Sequence, residues 1–242
     1  MDRFFVAKAS WVNSKVLLSL EESHHCVRVM RKSAGDRIEV FDGAGRWARG
    51  VIAEGSDREV TVMIEEEGTT QKKKPSLLMA IAVAKGKTME LVIQKSVELG
   101  VDRIQPLLTE NMAIHWSGEV LKGKQEKWRR VAMEACKQCG QNIVPEVCPV
   151  VAFEDGLEAG GEEVRFLASL DQRARPLRCE VEELPADLHS VELFIGPEGD
   201  FSPSETEQAI RSGLRPVSFG SRVLRVETAV IYGLSVLGYE LH

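Results

Sequence analysis

The sequence predicts an α/β fold, with a small β-rich N-terminal region followed by a larger region of alternating strands and helices. Three observations predict it. Residues 1–71 carry short runs that alternate polar and apolar residues, such as Asp36-Arg37-Ile38-Glu39-Val40-Phe41, the pattern of half-buried strands. From residue 75 onward the strands become continuous apolar runs, such as Leu77-Leu78-Met79-Ala80-Ile81-Ala82-Val83, as expected where both faces are covered. Finally, two Gly-bearing loops each follow a strand and enter a helix. They are Gly196-Pro197-Glu198-Gly199-Asp200-Phe201-Ser202 and Gly220-Ser221-Arg222-Val223-Leu224-Arg225-Val226-Glu227-Thr228-Ala229. That order places both at the carboxyl ends of strands, where open α/β sheets bind ligands.

In the N-terminal region, residues 23–31 read as a short helix. Residues 36–41, the turn Asp42-Gly43-Ala44-Gly45 and residues 46–52 read as a hairpin,. Residues 59–65 alternate again, and this number of short strands fits a small barrel. The stretch 65–75 is charged, contains Gly68 and Pro75 and has no apolar period, so the domain boundary is expected there. This gives domains at 1–71 and 75–242.

In the second region, residues 88–99 show helical spacing through Met89, Val92, Ile93 and Val97, and Gly100 stands at the C-cap,. Residues 103–108 read as a strand whose Pro106 points to an edge or a strand end. Residues 119–139 read as a long helix with Trp128, Val131, Ala132 and Ala135 on its apolar side. Residues 144–161 are weakly patterned, and 164–170 form a strand. A strand near Val191 leads into the first loop. Ser202-Pro203-Ser204-Glu205 is a capping box with Pro at the first helical position. Its helix runs to Arg211 or Ser212, stopped by Gly213. The last helix begins near Glu227 and carries Val230, Ile231, Leu234, Leu237 and Leu241. It is apolar on nearly all sides, so it is expected to be buried or to pair with another subunit.

The chain has 242 residues, 43% of them hydrophobic, ordinary for a soluble globular protein. No run approaches the ~20 apolar residues that span a bilayer, and the N-terminus lacks a signal-peptide core. Five cysteines make no even disulfide framework, so reduced thiols and a cytoplasmic protein are expected. The net charge of -6 argues mildly against a nucleic-acid partner, but local patches matter more. Three basic patches stand out: Arg28, Arg31, Lys32 and Arg37; Lys72, Lys73 and Lys74; and Lys122, Lys124, Lys127, Arg129 and Arg130.

Several tempting motifs fail. Gly86-Lys87-Thr88 ends like a P-loop, but the pattern requires Gly where Ile81 stands,. Neither ligand loop has dinucleotide-binding glycine spacing. Cys136-Lys137-Gln138-Cys139 has no second pair, so two buried or half-buried helical thiols are expected rather than zinc or redox chemistry. His24, His25 and Cys26 lack further ligands at metal spacing. His115, His189 and His242 are scattered. No metal site is expected, and no nucleophile elbow is present.

The two loops together resemble the RsmE family of SPOUT-class methyltransferases, which modify N3 of a uridine in 16S ribosomal RNA of the small subunit. The segments Leu193–Ser202 and Phe219–Ala229 carry the resemblance. It extends over the whole chain through Phe4-Phe5-Val6, His25 to Arg31, Lys85-Gly86-Lys87, Glu98-Leu99-Gly100 and Glu134 to Gly140. Several positions depart from the family's habit. Asn111-Met112 stands where the family often has Arg-Ser, Gln141 where arginine is usual, and Asp200 where the loop more often has a second glycine.

The resemblance implies a PUA-like RNA-binding β-barrel followed by a SPOUT α/β domain with a trefoil knot. It implies S-adenosyl-L-methionine (SAM) as cofactor and a homodimer acting on 16S rRNA or the assembled small ribosomal subunit. The cofactor residues implied are Leu170, Ile195, Gly196, Pro197, Glu198, Gly199, Phe219, Gly220, Val223, Leu224, Arg225 and Thr228. Arg225 is expected to orient the uracil or stabilise its developing anion. Glu198 or Glu227 is expected to accept the proton, to orient Arg225, or merely to cap loop amides. Arg28, Arg31, Lys32, Lys85, Lys87, Arg129 and Arg130 are the RNA-binding candidates. Two rival readings stay open: an RNA-binding protein without catalysis, and an α/β enzyme using the same crevice on a small molecule.

Overall fold

The computed structural model describes residues 1–112, 118–159, 161 and 163–241; His115 and His242 lie outside the described residues. The chain forms two compact units. The first comprises Met1–Lys72 and Met133–Val144, and the second Lys73–Ala132 and Pro145–His242.

The first unit is built on β1 (Arg3–Phe5), β2 (Trp11–Val12), β3 (Lys15–Leu17), the short helix α1 (Leu20–His24), β4 (Arg37–Phe41), β5 (Arg46–Gly55) and β6 (Val60–Thr69). Helix α1 is capped by Ser19 and passes into a π-helical turn at His25–Val29. The strands pair in the order β1-β4-β5-β6-β3-β2. All pairings are antiparallel except β1 on β4. The alternation read from the sequence puts Ile38 and Val40 of β4, Ala48 and Ile52 of β5, and Val60 and Val62 of β6 into one core with Phe4, Val16 and Cys26. Strands from both ends of the sheet share this core, so the sheet curls around it. Among the described residues β1 and β2 do not pair, so the expected barrel is a curled sheet with two open ends.

Residues 133–144 complete this unit. Arg3 Nη1 donates to the main-chain oxygens of Cys136 (2.7 Å) and Gln141 (3.2 Å), and its other amino nitrogen donates to Asn142 Oδ1. Lys137 pairs with Glu22, and Ala44 makes a β-bridge to Ile143. The guanidinium of Arg3 thus ties down main-chain oxygens around the C-terminus of a helix, that of Cys136 also accepting from Gly140 N at 3.1 Å.

The second unit runs β7 (Ser76–Ala82), α2 (Thr88–Glu98), β8 (Arg103–Leu108), α3 (Gly118–Cys139), β9 (Glu146–Val147), β10 (Val151–Ala152), α4 (Phe153–Glu158), β11 (Val164–Ala168), β12 (Arg175–Pro176), α5 (Leu177–Glu182), β13 (Ser190–Ile195), α6 (Pro203–Arg211), β14 (Arg215–Ser218) and α7 (Val226–Leu241). Its strands form one parallel sheet ordered β10-β8-β7-β13-β11-β14-β12, with β9 also on β8. Strand β7 is central and buried from Leu77 to Ala82, as its unbroken apolar run requires. Pro106 is not at a bare edge. It falls between the segments of β8 that pair with β9 and with β10, where a missing N–H breaks no outer ladder bond.

The capping box of α6 forms as read: Glu205 N donates to Ser202 Oγ at 3.1 Å, and Ser202 N donates to Glu205 Oε2 at 2.8 Å. Gly100 and Gly213 stop their helices with φ of +84° and +88°. Helix α7 packs on α2, α5 and β13. Only one stripe of it is buried, through Val226, Val230, Gly233, Leu234 and Leu237. Ile231 is 38% and Tyr239 86% exposed, so within one chain the helix is half covered. Among the described residues no helix is long and apolar enough to cross a membrane.

Candidate active site

The carboxyl ends of β11, β13 and β14 lie side by side because these strands are neighbours in a parallel sheet. The loops that leave them therefore meet. Together with the start of α7 they enclose a cavity of about 270 Å³.

From β11 come Ala168, Ser169 and Leu170; from β13, Ile195 and the loop Gly196 to Asp200. From β14 come Val217, then Phe219, Gly220, Arg222, Val223 and Leu224, and α7 adds Val226 and Ala229. Ten of the expected cofactor residues are thus brought together: Leu170, Ile195, Gly196, Pro197, Glu198, Gly199, Phe219, Gly220, Val223 and Leu224. Leu170 and Val223 are 61% and 77% exposed, and Phe219 is half-buried. Open apolar side chains beside bare glycine main chain are suited to a ligand with a flat ring and a polar tail.

Three expected residues do not line the cavity. Arg225, Glu227 and Thr228 flank the start of α7, and the helical period turns Val226 and Ala229 inward instead. Arg225 and Thr228 are exposed and Glu227 half-buried. Glu227 lies in the first turn of α7, where a carboxylate complements the helix dipole. Conversely, Ala168, Ser169, Asp200, Val217, Arg222, Val226 and Ala229 are wall residues not named from the sequence. Asp200, Arg222, Val226 and Ala229 sit inside the two loop segments and needed only a register. The contribution of Ser169 required knowing which strand is the neighbour.

The first loop is held by a small set of hydrogen bonds. Asp200 has φ of +58°, a left-handed conformation that asparagine and aspartate tolerate better than most residues. Its Oδ1 accepts from Phe201 N at 2.8 Å, and its Oδ2 accepts from Leu170 N at 3.4 Å. Asn111 Nδ2 donates to the oxygens of Gly199 (3.3 Å) and Asp200 (3.0 Å). The capping carboxylate of Glu205 also accepts from Glu110 N at 2.9 Å, which fixes the turn that carries Asn111. A Cβ on Gly196 would lie 3.1 Å from both Asp200 Oδ1 and Phe201 N, so a side chain there requires these neighbours to give way. Gly220 has φ of +108°, strained for any side chain.

The basic candidates belong to both units, and none of them lines the cavity. Arg28 bonds Asp57 at 2.6 Å, and its hydrogen bond holds that carboxylate below the usual range. Lys32 pairs with Asp2 at 2.7 Å, and that hydrogen bond raises the lysine above its ordinary value. Arg129 Nε donates to Val147 O at 3.2 Å. Arg31, Lys85, Lys87 and Arg130 are exposed. Of the C-x-x-C pair, Cys136 is buried and burial pushes its thiol up to about 12, which disfavours the reactive thiolate. Cys139 is exposed rather than buried, because it is the last residue of α3. Among the described residues no cluster of His, Cys, Asp and Glu is gathered as a metal site.

The chain matches the family model of an RNA methyltransferase domain over residues 71–238 and that of an RNA methyltransferase PUA domain over 18–65. It is 32% identical to the ribosomal RNA small subunit methyltransferase E of Synechocystis over 96% of this chain and 76% of that protein. The enzyme of the same name from Buchnera aphidicola (Schizaphis graminum) is 28% identical over 97% of this chain and 94% of that one. Among solved structures, a methyltransferase of Legionella pneumophila in complex with SAM has a TM-score of 0.89 at 31% identity, covering 99% of this chain and 97% of that one. The ribosomal RNA small subunit methyltransferase E of Neisseria gonorrhoeae bound to SAM has a TM-score of 0.87 at 28% identity, covering 98% and 96%. With its paired Gly-bearing loops and near full-length matches, the chain belongs to the ribosomal RNA small subunit methyltransferase E family.

Proposed function

We propose that this protein is a SAM-dependent methyltransferase acting on N3 of a uridine in 16S ribosomal RNA of the small subunit. The observation that carries the proposal is the cavity where the loops after β11, β13 and β14 converge. The SAM-bound state of the Legionella and Neisseria relatives supports it. The residues present fit that cofactor: Gly196 and Gly220 leave main chain bare, and Leu170, Ile195, Val223 and Leu224 supply apolar wall.

When bound, SAM supplies an electrophilic methyl group on a sulfonium. In this reading the main chain of Gly196, Gly199, Val223 and Leu224 holds the adenine and methionine parts, while Leu170 packs on the adenine. Arg225, exposed beside the wall loop, orients the uracil and stabilises the anion left when its N3 proton departs. Glu198 or Glu227 takes that proton or orients Arg225. The target base must already be unpaired or leave its stack. Arg28, Arg31 and Lys32 in the first unit, and Lys85, Lys87, Arg129 and Arg130 in the second, hold phosphates. Residues 1–71 then serve as the RNA-binding domain and 75–242 as the catalytic one.

The C-terminal region is read as a trefoil knot. Helix α7 follows β14 on the far side of β11, yet packs on β13 and α2, so the chain recrosses β11. The uncovered apolar residues Ile231 and Tyr239 of α7 support a homodimer. The protein is read as cytoplasmic, consistent with five unpaired cysteines.

Calorimetry with SAM, mass mapping of 16S uridine methylation in a strain lacking the gene, and sedimentation together test the reading. Expected are SAM binding, one lost 16S N3-methyluridine restored by the gene, and twice the chain mass. Absence of SAM binding by folded protein defeats it. Activity on a small molecule without RNA would favour an α/β enzyme of another class. Arg225→Ala should lower single-turnover methylation by about 10²–10³-fold.

A further inference from the structure

We propose that Asp200 is a charge-specificity residue of the cavity, making it prefer a cationic ligand over the neutral product of the same shape. The proposal rests on the methyltransferase reading above. SAM carries a sulfonium and an ammonium against one carboxylate, a net single positive charge. S-adenosylhomocysteine, left after methyl transfer, has lost the sulfonium charge and is neutral overall. Shape alone separates the two by only a methyl group, worth about a factor of 10 or somewhat more in an apolar pocket.

The wall supplies a second means of discrimination. Its charged side chains are Glu198, Asp200 and Arg222, so carboxylates outnumber guanidinium. Asp200 forms no salt bridge among the described residues. Its carboxylate is held instead by two backbone N–H groups, Phe201 N at 2.8 Å and Leu170 N at 3.4 Å. Such dipoles orient a carboxylate without cancelling its charge. The positive φ of +58° and the Asn111 amide on the Asp200 carbonyl fix the residue against the wall. A fixed charge in a partly desolvated cleft acts on a ligand charge with less screening than in bulk water. Expelling the neutral product more readily than SAM would limit product inhibition.

A structural role for the same carboxylate, bracing the Leu170 loop, is the competing account, and the two predict different ligand dependences. Asp200→Asn keeps the shape, tolerates the backbone angle and retains an acceptor. Asp200→Gly removes both charge and brace while suiting the same φ. Calorimetry on the full chain should use three ligands: SAM; sinefungin, which carries an amine in place of the sulfonium; and S-adenosylhomocysteine. With Asp200→Asn, SAM and sinefungin should weaken by about three- to tenfold, with S-adenosylhomocysteine changed less than about twofold. Asp200→Gly should show the same loss of preference whatever its absolute affinities. If the three ligands weaken together, or none changes, Asp200 is a brace or a bystander and the proposal is overturned. Wild-type protein that binds none of them removes the methyltransferase reading, and this proposal with it.

Discussion

Gly233 of α7 lies flush against the ring of Phe219: a Cβ on Gly233 would stand 2.9 Å from Phe219 Cζ and 2.6 Å from Leu193 Cδ2. Phe219 is part of the cavity wall and Leu193 lies in β13. The missing side chain therefore sets how closely the last helix approaches the sheet and how its neighbouring wall residue is held.

Gly233→Ala should lower stability by about 1–3 kcal/mol through overpacking, even though alanine is the better helix former. Thermal melting checks the stability. Because Phe219 must shift, affinity for SAM should fall as well. A variant as stable as the parent would mean that the neighbouring side chains relax without cost.

Asn111→Ala should loosen the first loop. It removes two hydrogen bonds to the Gly199 and Asp200 carbonyls, each worth about 0.5–1.5 kcal/mol net. Hydrogen exchange at Gly199 to Phe201 should speed up and SAM affinity should drop, with global stability little changed. Unaltered exchange in that loop would show that Asp200 and Phe201 hold it unaided.

Changing Arg28 and Arg31 to Ala should weaken RNA binding and flatten its salt dependence. The log–log slope should fall by about 0.7–0.9 for each phosphate that is no longer neutralised. SAM affinity should not move, since neither arginine lines the cavity. The ion pair of Arg28 with Asp57 makes Arg31→Ala the cleaner single variant. Filter binding over a salt series measures the slope. Normal RNA binding by the double variant would transfer the phosphate site to Arg129 and Arg130.

Acid stability should report Asp171. Its side-chain hydrogen bond from Arg173, then the bond from Arg173 N, lower its pKa from 3.8 to about 2. A carboxylate depressed on folding contributes stability above its unfolded value and loses that contribution as pH falls through the folded one. The window therefore runs from about pH 4 down to about 2,. Asp171→Asn should flatten the stability profile there and, because the pair is solvent-exposed, cost at most about 1 kcal/mol near neutrality. An unchanged acid profile would assign the acid sensitivity to other carboxylates.

Much of this architecture is legible in the chain because its local signals agree. Ser202 to Glu205 specify a helix start by hydrogen-bond chemistry alone, and the apolar run at 77–83 has the length of a covered strand rather than of a helix. Other elements carry no such signal. Strands β9, β10 and β12 are two residues each, too short to show a period. Helix α5 lies in a segment where Arg175, Arg178, Glu180, Glu182 and Glu183 form ion pairs, so charge masks its buried Leu177 and Val181. At the cavity, glycine marked the loops, but orientation on α7 depended on where its first turn begins. One residue of phase decides whether Arg225 or Val226 faces the wall.

The discontinuity of the first unit constrains how the protein is made. Arg3 finds its acceptors Cys136 and Gln141 at separations of 133 and 138 residues. At about 5–20 residues per second, synthesis from Lys72 to Val144 occupies roughly 4–14 s. During that interval the nascent sheet exists without residues 133–144, and Arg3 lacks the main-chain acceptors they supply. The first unit thus cannot finish folding when residue 72 emerges but only once residue 144 has been made, still ahead of the second unit, which runs on to His242. A gene fragment ending at residue 72 would encode an incomplete module, and grafting the module elsewhere would require carrying residues 133–144 with it.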